Sequence, residues 1–585
     1  MYNSNFDKFP EVVVHGYNGC EGWTEIISEL TEKVQSKKLE KQVIVFESYQ
    51  GVLITPIVEK LKAAFPKARF FDVTEALLPK DELDKLLYPF VTDDPVFGYM
   101  TSLTLNDFFR SGSLESLGKQ IDDATDELTF IVGTGASLVP VKCDLLIYAD
   151  MPRWEIQLRF RRNEVGNIGA DNATDTFAYQ YKRAFFVDWR VCDKLKRNLL
   201  DRSDYILDTT NPELPKMVTG AALMDALEKV ANRPFRVVPF FDPGPWGGQW
   251  LKEVCDLKKD EKNFAWGFDC VPEENSLLIR FDHILFETPS INLVFYQPKQ
   301  LLGPKVYEAF GAEFPIRFDF LDTMEGGNLS LQVHPTTQYI RDTFGMNYTQ
   351  DESYYMLDAK EDATVFLGLK TGIDTDEMIA DLHHAQDTGG KFDAEKYVNV
   401  FPAKKHDHFL IPNGTIHCSG VNGMVLEISA TPYIFTFKLY DWGRLGLDGE
   451  PRAINIEHGS KVINRSRDTE YCLEQLVNRI DLISEGDGWR EERTGLHKNE
   501  FIETRRHWFS KKVLHQTNDS VNVLNLVEGV EAIVESPENA FEPFVVHYAE
   551  TFIVPAAVGE YTIRPFGESE GKQCATIKAY VRHKA

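Results

Sequence analysis

Leu329-Ser330-Leu331-Gln332-Val333-His334-Pro335 reads as a β-strand that carries chemistry on one face. Residues two apart in a strand project to the same side, so Gln332 and His334 can point into one cavity. Glu352 follows in Gln350-Asp351-Glu352, and His417 ends Pro412-Asn413-Gly414-Thr415-Ile416-His417. Neutral imidazoles and a carboxylate suit zinc, and three or four protein ligands leave a position for water or substrate. The expectation is a catalytic rather than a structural metal site, set in a β domain.

Outward from this strand, the chain from about 236 is β-rich and punctuated by Pro and Gly, beginning with Phe240-Phe241-Asp242-Pro243-Gly244-Pro245-Trp246-Gly247-Gly248. A helical insertion, roughly Thr375 to His384 with a short following segment, interrupts it, and Gly389-Gly390 marks a loop. After a helical pattern over Thr469 to Ile483, a third region begins near 485. Its alternating runs, Val521 to Val527 and Ala532 to Glu535, predict another β-barrel or sandwich. No His and Glu set there is spaced like that of the middle region, so no second metal site is expected. Residues 1 to about 232 have a different texture: short β-branched runs (Val12 to Val14, Val43 to Phe46, Arg69 to Val73, Phe130 to Val132, Leu145 to Tyr148) alternate with amphipathic stretches such as Trp23 to Val34 and Ile57 to Phe65. That pattern predicts α/β structure with a parallel sheet. The expected organisation is an α/β domain over 1–232, a metal-binding β-barrel with a helical insertion over 233–484, and a metal-free β-barrel over 485–585.

A chain of 585 residues exceeds one hydrophobic core. Its 63 Lys and Arg against 90 Asp and Glu give a formal charge of -27, which disfavours nucleic acid and anionic membranes as partners. An anionic substrate would then need local cations. The eight cysteines form no C-x-x-C pair and read as reduced, packed thiols. Met1-Tyr2-Asn3-Ser4-Asn5-Phe6-Asp7-Lys8 has neither a basic region nor an apolar core, and no apolar run reaches membrane-spanning length. A cytoplasmic protein is expected.

Several separated motifs, in order, carry a resemblance. Trp246-Gly247-Gly248, Phe318-Asp319-Phe320-Leu321-Asp322, Leu329 to Pro335, Glu352-Ser353-Tyr354-Tyr355-Met356, Phe366 to Lys370, Ile411 to His417, Val425-Leu426-Glu427-Ile428 and Tyr440-Asp441-Trp442-Gly443-Arg444 resemble those of type I mannose-6-phosphate isomerases of the cupin superfamily, over about 236–585. The resemblance implies two cupin (jelly-roll-like) barrels, with zinc in the first, held by Gln332, His334, Glu352 and His417. Arg444 falls on the family's active-site arginine. His408 and His547, which arrive without such company, read as packed core histidines.

The implied activity interconverts an aldose phosphate and a ketose phosphate by moving a proton between adjacent carbons. Zinc would polarise oxygen, and Arg444 would stabilise developing negative charge or bind phosphate. Glu427 is the candidate base, with a structural carboxylate paired to a Lys or Arg as the equal alternative. Two family lysines are replaced, by Gln350 ahead of the ligand Glu352 and by Asp319 in Arg317-Phe318-Asp319-Phe320-Leu321, a change of three charge units. Lys438 and Lys370 are the candidate substrate-binding cations, with Arg317 and Arg341 as further sources of compensation. A sugar-sensing or regulatory protein that keeps the zinc site without turnover is the alternative to the isomerase.

Ahead of this region, Cys143 to Asp150 followed by Arg153-Trp154-Glu155-Ile156-Gln157-Leu158-Arg159-Phe160-Arg161-Arg162 resembles the late strand and arginine-bearing helix of uridine-kinase-like P-loop proteins. The phosphate-binding string G-x-x-x-x-G-K-[ST] is missing: Glu47-Ser48-Tyr49-Gln50-Gly51 and Gly16 to Trp23 lack the lysine. The expected domain is kinase-like in fold and lacks ordinary kinase activity.

Overall fold

The computed structural model describes residues 4–37, 39–431, 434–447 and 449–582. Met1 to Asn3, the start of the segment read as free of a leader, lie outside them. Contacts divide the chain into two units, one of Glu11–Val230 with Ser276–Tyr296, the other of Met1–Pro10, Ala231–Asn275 and Gln297–Ala585. Among the described residues no helix is long and apolar enough to cross a membrane.

The first unit is α/β. Gln42–Ser48 is buried along its whole length, as the run Val43-Ile44-Val45 requires of a strand covered on both faces. It lies between Leu128–Gly133 and Leu145–Asp150 in a sheet whose five parallel strands, Gln42–Ser48, Arg69–Asp72, Leu128–Gly133, Leu145–Asp150 and Tyr205–Asp208 numbered 1 to 5, stand in the order 2-3-1-4-5. Lys216–Thr219 and Gly19–Glu21 extend the sheet antiparallel beyond Tyr205–Asp208. The helix Gly22–Ser36 presents Ile26 and Leu30, one turn apart, to this core. Glu11–Val14 was expected in the parallel sheet, but it pairs in parallel with Ser276–Phe281, which pairs in turn with Ile284–Pro289. Its partner lies far downstream, so strand propensity alone could not assign it.

The Gly-rich turn after Leu128–Gly133 has its donors taken by the protein itself. The buried Glu47 carboxylate accepts the Gly135 amide at 2.7 Å, and the Ser137 amide and hydroxyl at 2.8 and 2.6 Å. Burial pushes its pKa up, and these bonds oppose the shift. Beside it, at the carboxyl ends of the central strands, a cavity of about 290 Å³ includes Gln50, Thr55, Thr74 and Thr134, and among the described residues no Lys, Arg or His lines it.

The second unit is sheet-rich. A six-stranded antiparallel sheet runs His408–Ile411, Glu352–Ala359, Gly423–Ala430, Ile316–Asp322, Trp266–Cys270, Phe240–Asp242. A five-stranded sheet runs Val398–Pro402, Thr364–Leu369, His417–Ser419, Leu331–Val333, Phe437–Tyr440. Side chains from both line one cavity. The helix Thr375–Thr388 interrupts them, capped by the Asp374 carboxylate on the amides of Asp376 and Glu377 and stopped at Gly389, whose φ is +68°. Further along, a six-stranded sheet from Asp481–Gly486 to Thr551–Val554 packs on a four-stranded one, with Phe509, Leu524 and Phe552 from the first meeting Val513, Val534 and Ile563 from the second. All these sheets are open, and no ladder among the described residues closes into a barrel. The helix expected to Ile483 ends earlier: helical turns cover Thr469 to Leu476, Asn478 takes a left-handed φ of 50°, and Asp481–Gly486 is a strand.

The Trp246-Gly247-Gly248 motif has a packing cause. A Cβ on Gly248 would lie 2.1 Å from the Asp322 carboxylate, which accepts the Leu251 and Met324 amides at 2.8 and 2.9 Å. Trp246 is buried edge-on against Trp266.

Candidate metal centre

Gln332 and His417 are direct partners on adjacent antiparallel strands, so their side chains leave the sheet on one face. His334 lies two residues beyond Gln332, and Glu352 opens a strand of the opposite sheet. The four side chains meet between the sheets. Glu352 Oε2 lies 3.0 Å from His334 Nε2, and Oε1 lies 2.9 Å from His417 Nε2. All three side chains are fully buried, and their ligand atoms lie within 4.8 Å of one another.

The outer ring nitrogens decide what this cluster can hold. His334 Nδ1 lies 3.0 Å from the Phe435 carbonyl oxygen, and His417 Nδ1 lies 2.9 Å from that of Thr415. A carbonyl only accepts, so each Nδ1 carries hydrogen, and in the neutral rings both Nε2 lone pairs face the carboxylate. Three acceptors at about 3 Å repel one another unless a proton or a metal cation lies among them. The donor set therefore fits a divalent metal, with the Nδ1 bonds fixing tautomer and ring orientation. Gln332 Nε2 lies 3.2 Å from His417 Nε2. Rotating its amide by half a turn presents the oxygen instead and supplies a fourth ligand atom.

Beside the cluster a cavity of about 220 Å³ is lined by Gln332 and Gln350, by Arg317, Asp319 and Glu427 from the six-stranded sheet, and by Ser330, Lys438 and Arg452. Arg317 is hydrogen-bonded to Glu427, lies 3.3 Å from Asp319, and donates to Ser429 Oγ at 2.9 Å. Gln350 Nε2 donates to Glu352 at 2.9 Å and reaches Glu427 at 3.4 Å. Burial pushes Asp319 up to about 7 against the pull of Arg317, and raises Glu427 well above the carboxylate range. Burial, helped by Arg452, lowers Lys438 to about 8.

The remaining predicted residues are placed differently. Arg444 does not line the cavity; it donates to Asp441 Oδ1 through Nε and Nη2 at 3.0 and 2.6 Å and to the Asn328 carbonyl. The same Asp441 carboxylate holds Arg452, at 3.0 Å, on the cavity wall. Lys370 is exposed, with its amine on the Glu395 carbonyl. Arg452 carries no signal in the sequence, since nothing in Glu450-Pro451-Arg452 distinguishes it from a solvated arginine.

Comparison with known proteins gives two separate likenesses. The model of a family described as a domain of unknown function (DUF8485) matches residues 22–232. The chain is 22% identical over 237 residues to a putative mannose-6-phosphate isomerase, YvyI, of Bacillus subtilis, covering 40% of this chain and 68% of that protein. It is 25% identical over 222 residues to the mannose-6-phosphate isomerase of Streptococcus mutans, covering 37% of this chain and 64% of that protein. The structure of the mannose 6-phosphate isomerase of Bacillus subtilis aligns over 60% of this chain and all of its own length, at 18% identity and a TM-score of 0.47. The curated relatives are isomerases by name, and the matches span about two thirds of their length.

Proposed function

We propose that this chain is a metal-dependent sugar-phosphate isomerase that interconverts an aldose phosphate and its ketose, with mannose 6-phosphate and fructose 6-phosphate as the first pair to test. The observation that carries the reading is the convergence of His334, Glu352 and His417 acceptors beside a cavity that holds both a carboxylate, Glu427, and cations. The relatives' names support it.

In this reading His334, Glu352, His417 and the rotated amide of Gln332 hold the metal, zinc by the nature of the donors. When bound, it would supply a Lewis acid that polarises substrate oxygen. The protein's own residues do the rest. Glu427 takes the proton from C2 of the aldose and returns it to C1, while the hydroxyl proton passes from O2 to O1, so atoms balance with no external reactant. Its raised proton affinity, set mainly by burial, suits a group that must accept and then release a proton. Arg317 fixes its orientation. Lys438 holds the anionic end of the substrate, and Arg444 acts through Asp441 by steadying Arg452 on the wall.

A second reading, a sugar-binding or regulatory protein without turnover, draws on Asp319 and Gln350, which stand where the resembled family carries lysines. The test is an interconversion assay on metal-replete full-length protein, with a chelated sample and His334→Ala alongside. Turnover lost in both controls supports the isomerase. Metal at about one per chain without turnover on either sugar phosphate overturns it in favour of binding.

A further inference from the structure

The sheet-rich unit contains a second cavity, of about 370 Å³, that shares no lining residue with the candidate metal centre. This volume falls within the ~300–1,000 Å³ range of small-molecule sites. Its charge runs against that of the chain. Among the described residues, Arg479, Arg493, Lys498 and Arg582 line it with only two carboxylates, Asp481 and Glu503, in a protein of net charge -27.

Both carboxylates are already engaged. Asp481 and Arg493 are register partners on adjacent strands and bond at 2.7 Å. Glu503 lies 3.3 Å from Arg582 Nε and accepts from Arg505 and Tyr580 at 2.7 and 2.8 Å. Arg582 is part of the frame, since its terminal nitrogens donate to the carbonyls of Leu496, His497 and Glu500 at 2.9, 3.0 and 2.9 Å. Arg479 and Lys498 remain, with no ion-pair or hydrogen-bond partner among the described residues. The local field is correspondingly positive. His497, on the same wall, is held down to about 4, first by burial and then by Arg467, Lys498 and Arg582.

We propose that this cavity is a binding site for a phosphate-bearing small molecule, whose dianionic group is taken by Arg479 and Lys498 beside Arg582 and the Arg493–Asp481 pair. Two uncommitted cations match the charge of one phosphate monoester. Arginine adds a planar fork that bonds two phosphate oxygens, and lysine adds a point charge. The site is independent of the proposed isomerase reading and stands whether or not the metal centre turns over.

The experiment is calorimetric titration of inorganic phosphate into full-length Lys438→Ala protein, whose other cavity has lost the amine proposed to anchor phosphate, into the same protein carrying the double variant Arg479→Ser/Lys498→Ser, and into the same protein carrying Lys370→Ala, which removes an exposed cation outside both cavities. Both replaced side chains are exposed, so the double variant is expected to fold, and its thermal transition verifies this. The expected result is saturable binding that weakens at least about tenfold in the double variant, as loss of charge-assisted bonds implies, and stays within about twofold with Lys370→Ala. Absence of phosphate binding to the Lys438→Ala protein overturns the proposal, and so does binding that survives the double variant in that background.

Discussion

Arg317 and Glu427 form a hydrogen-bonded ion pair between neighbouring strands of one sheet, with both side chains only 5% exposed. The cation stands two residues before Asp319, on the same strand face, so the charge absent at 319 is restored nearby. Removing it leaves two buried carboxylates without their main partner. Arg317→Leu should cost about 3–5 kcal/mol in urea unfolding, because an uncompensated buried charge is far more costly than a broken surface pair. Arg317→Leu/Glu427→Leu should recover a substantial part of that loss. A single variant as stable as wild type would mean the two carboxyls are held protonated and the pair contributes little.

The buried Glu47 makes a comparable prediction for the α/β unit. Its carboxylate satisfies the Gly135 and Ser137 amides and the Ser137 hydroxyl, and a shorter side chain leaves those donors bare. Glu47→Ala should lower stability by at least about 2 kcal/mol, from orphaned buried donors as well as lost bonds. Ser137→Ala, which keeps the amides paired, should cost about 1 kcal/mol. Equal losses from the two variants would show that the amides find water instead. In this turn the protein's own carboxylate takes the amides of Gly135 and Ser137, and the loop after Gln42–Ser48 contains no lysine.

His408 gives a pH dependence with a defined sign. Burial, then the nearby Arg506, lowers its pKa to about 3. The unfolded chain takes up this proton near pH 6.5, whereas the folded protein resists it until about 3. The contribution of a neutral His408 is therefore complete above about 6.5 and is lost as pH falls from 6.5 towards 3. Raised carboxyls such as Asp269 and Asp322 push the opposite way, so the clean readout is a difference between two proteins. Relative to wild type, His408→Phe should gain about 1.4 kcal/mol of stability per pH unit below 6.5. Denaturation midpoints at pH 7.5, 5.5 and 4.5 measure it, and a difference that does not change with pH refutes the assignment.

What the sequence made legible follows the reach of the interactions involved. Gln332 and His334 were readable as a pair because strand alternation is local, and the helical pattern from Thr375 with the Gly389-Gly390 loop after it marked the inserted helix for the same reason. The pairing of Glu11–Val14 with Ser276–Phe281 was not readable, since both segments look like ordinary strands and nothing local records the partner. Arg317 and Arg452 needed the folded sheets to become visible as cavity residues: an arginine in a string reads as solvated surface until two facing sheets bury it. Thr469 to Ile483 misled for a related reason. Leu482 and Ile483 fit a helical period, yet both belong to an exposed hairpin strand begun after the left-handed Asn478.

Lys438 and Lys370 stood level in the sequence, and the fold separates them. Lys438 is the register partner of Gln332 and lines the cavity, with no carboxylate within ion-pair distance among the described residues. Lys370 is exposed and bonded to the Glu395 carbonyl. A substrate phosphate held by Lys438 would gain a charge-assisted bond worth about 1.5–3 kcal/mol. Lys438→Ala should therefore raise KM for a sugar phosphate about 10- to 100-fold. Because the anchored group lies away from the reacting carbons, most of the effect should fall on KM, with kcat reduced less. Lys370→Ala should leave both constants within about twofold. A loss in Lys438→Ala confined to kcat would move the amine from anchoring to proton transfer, and parity between the two variants would place the phosphate on Arg452 instead.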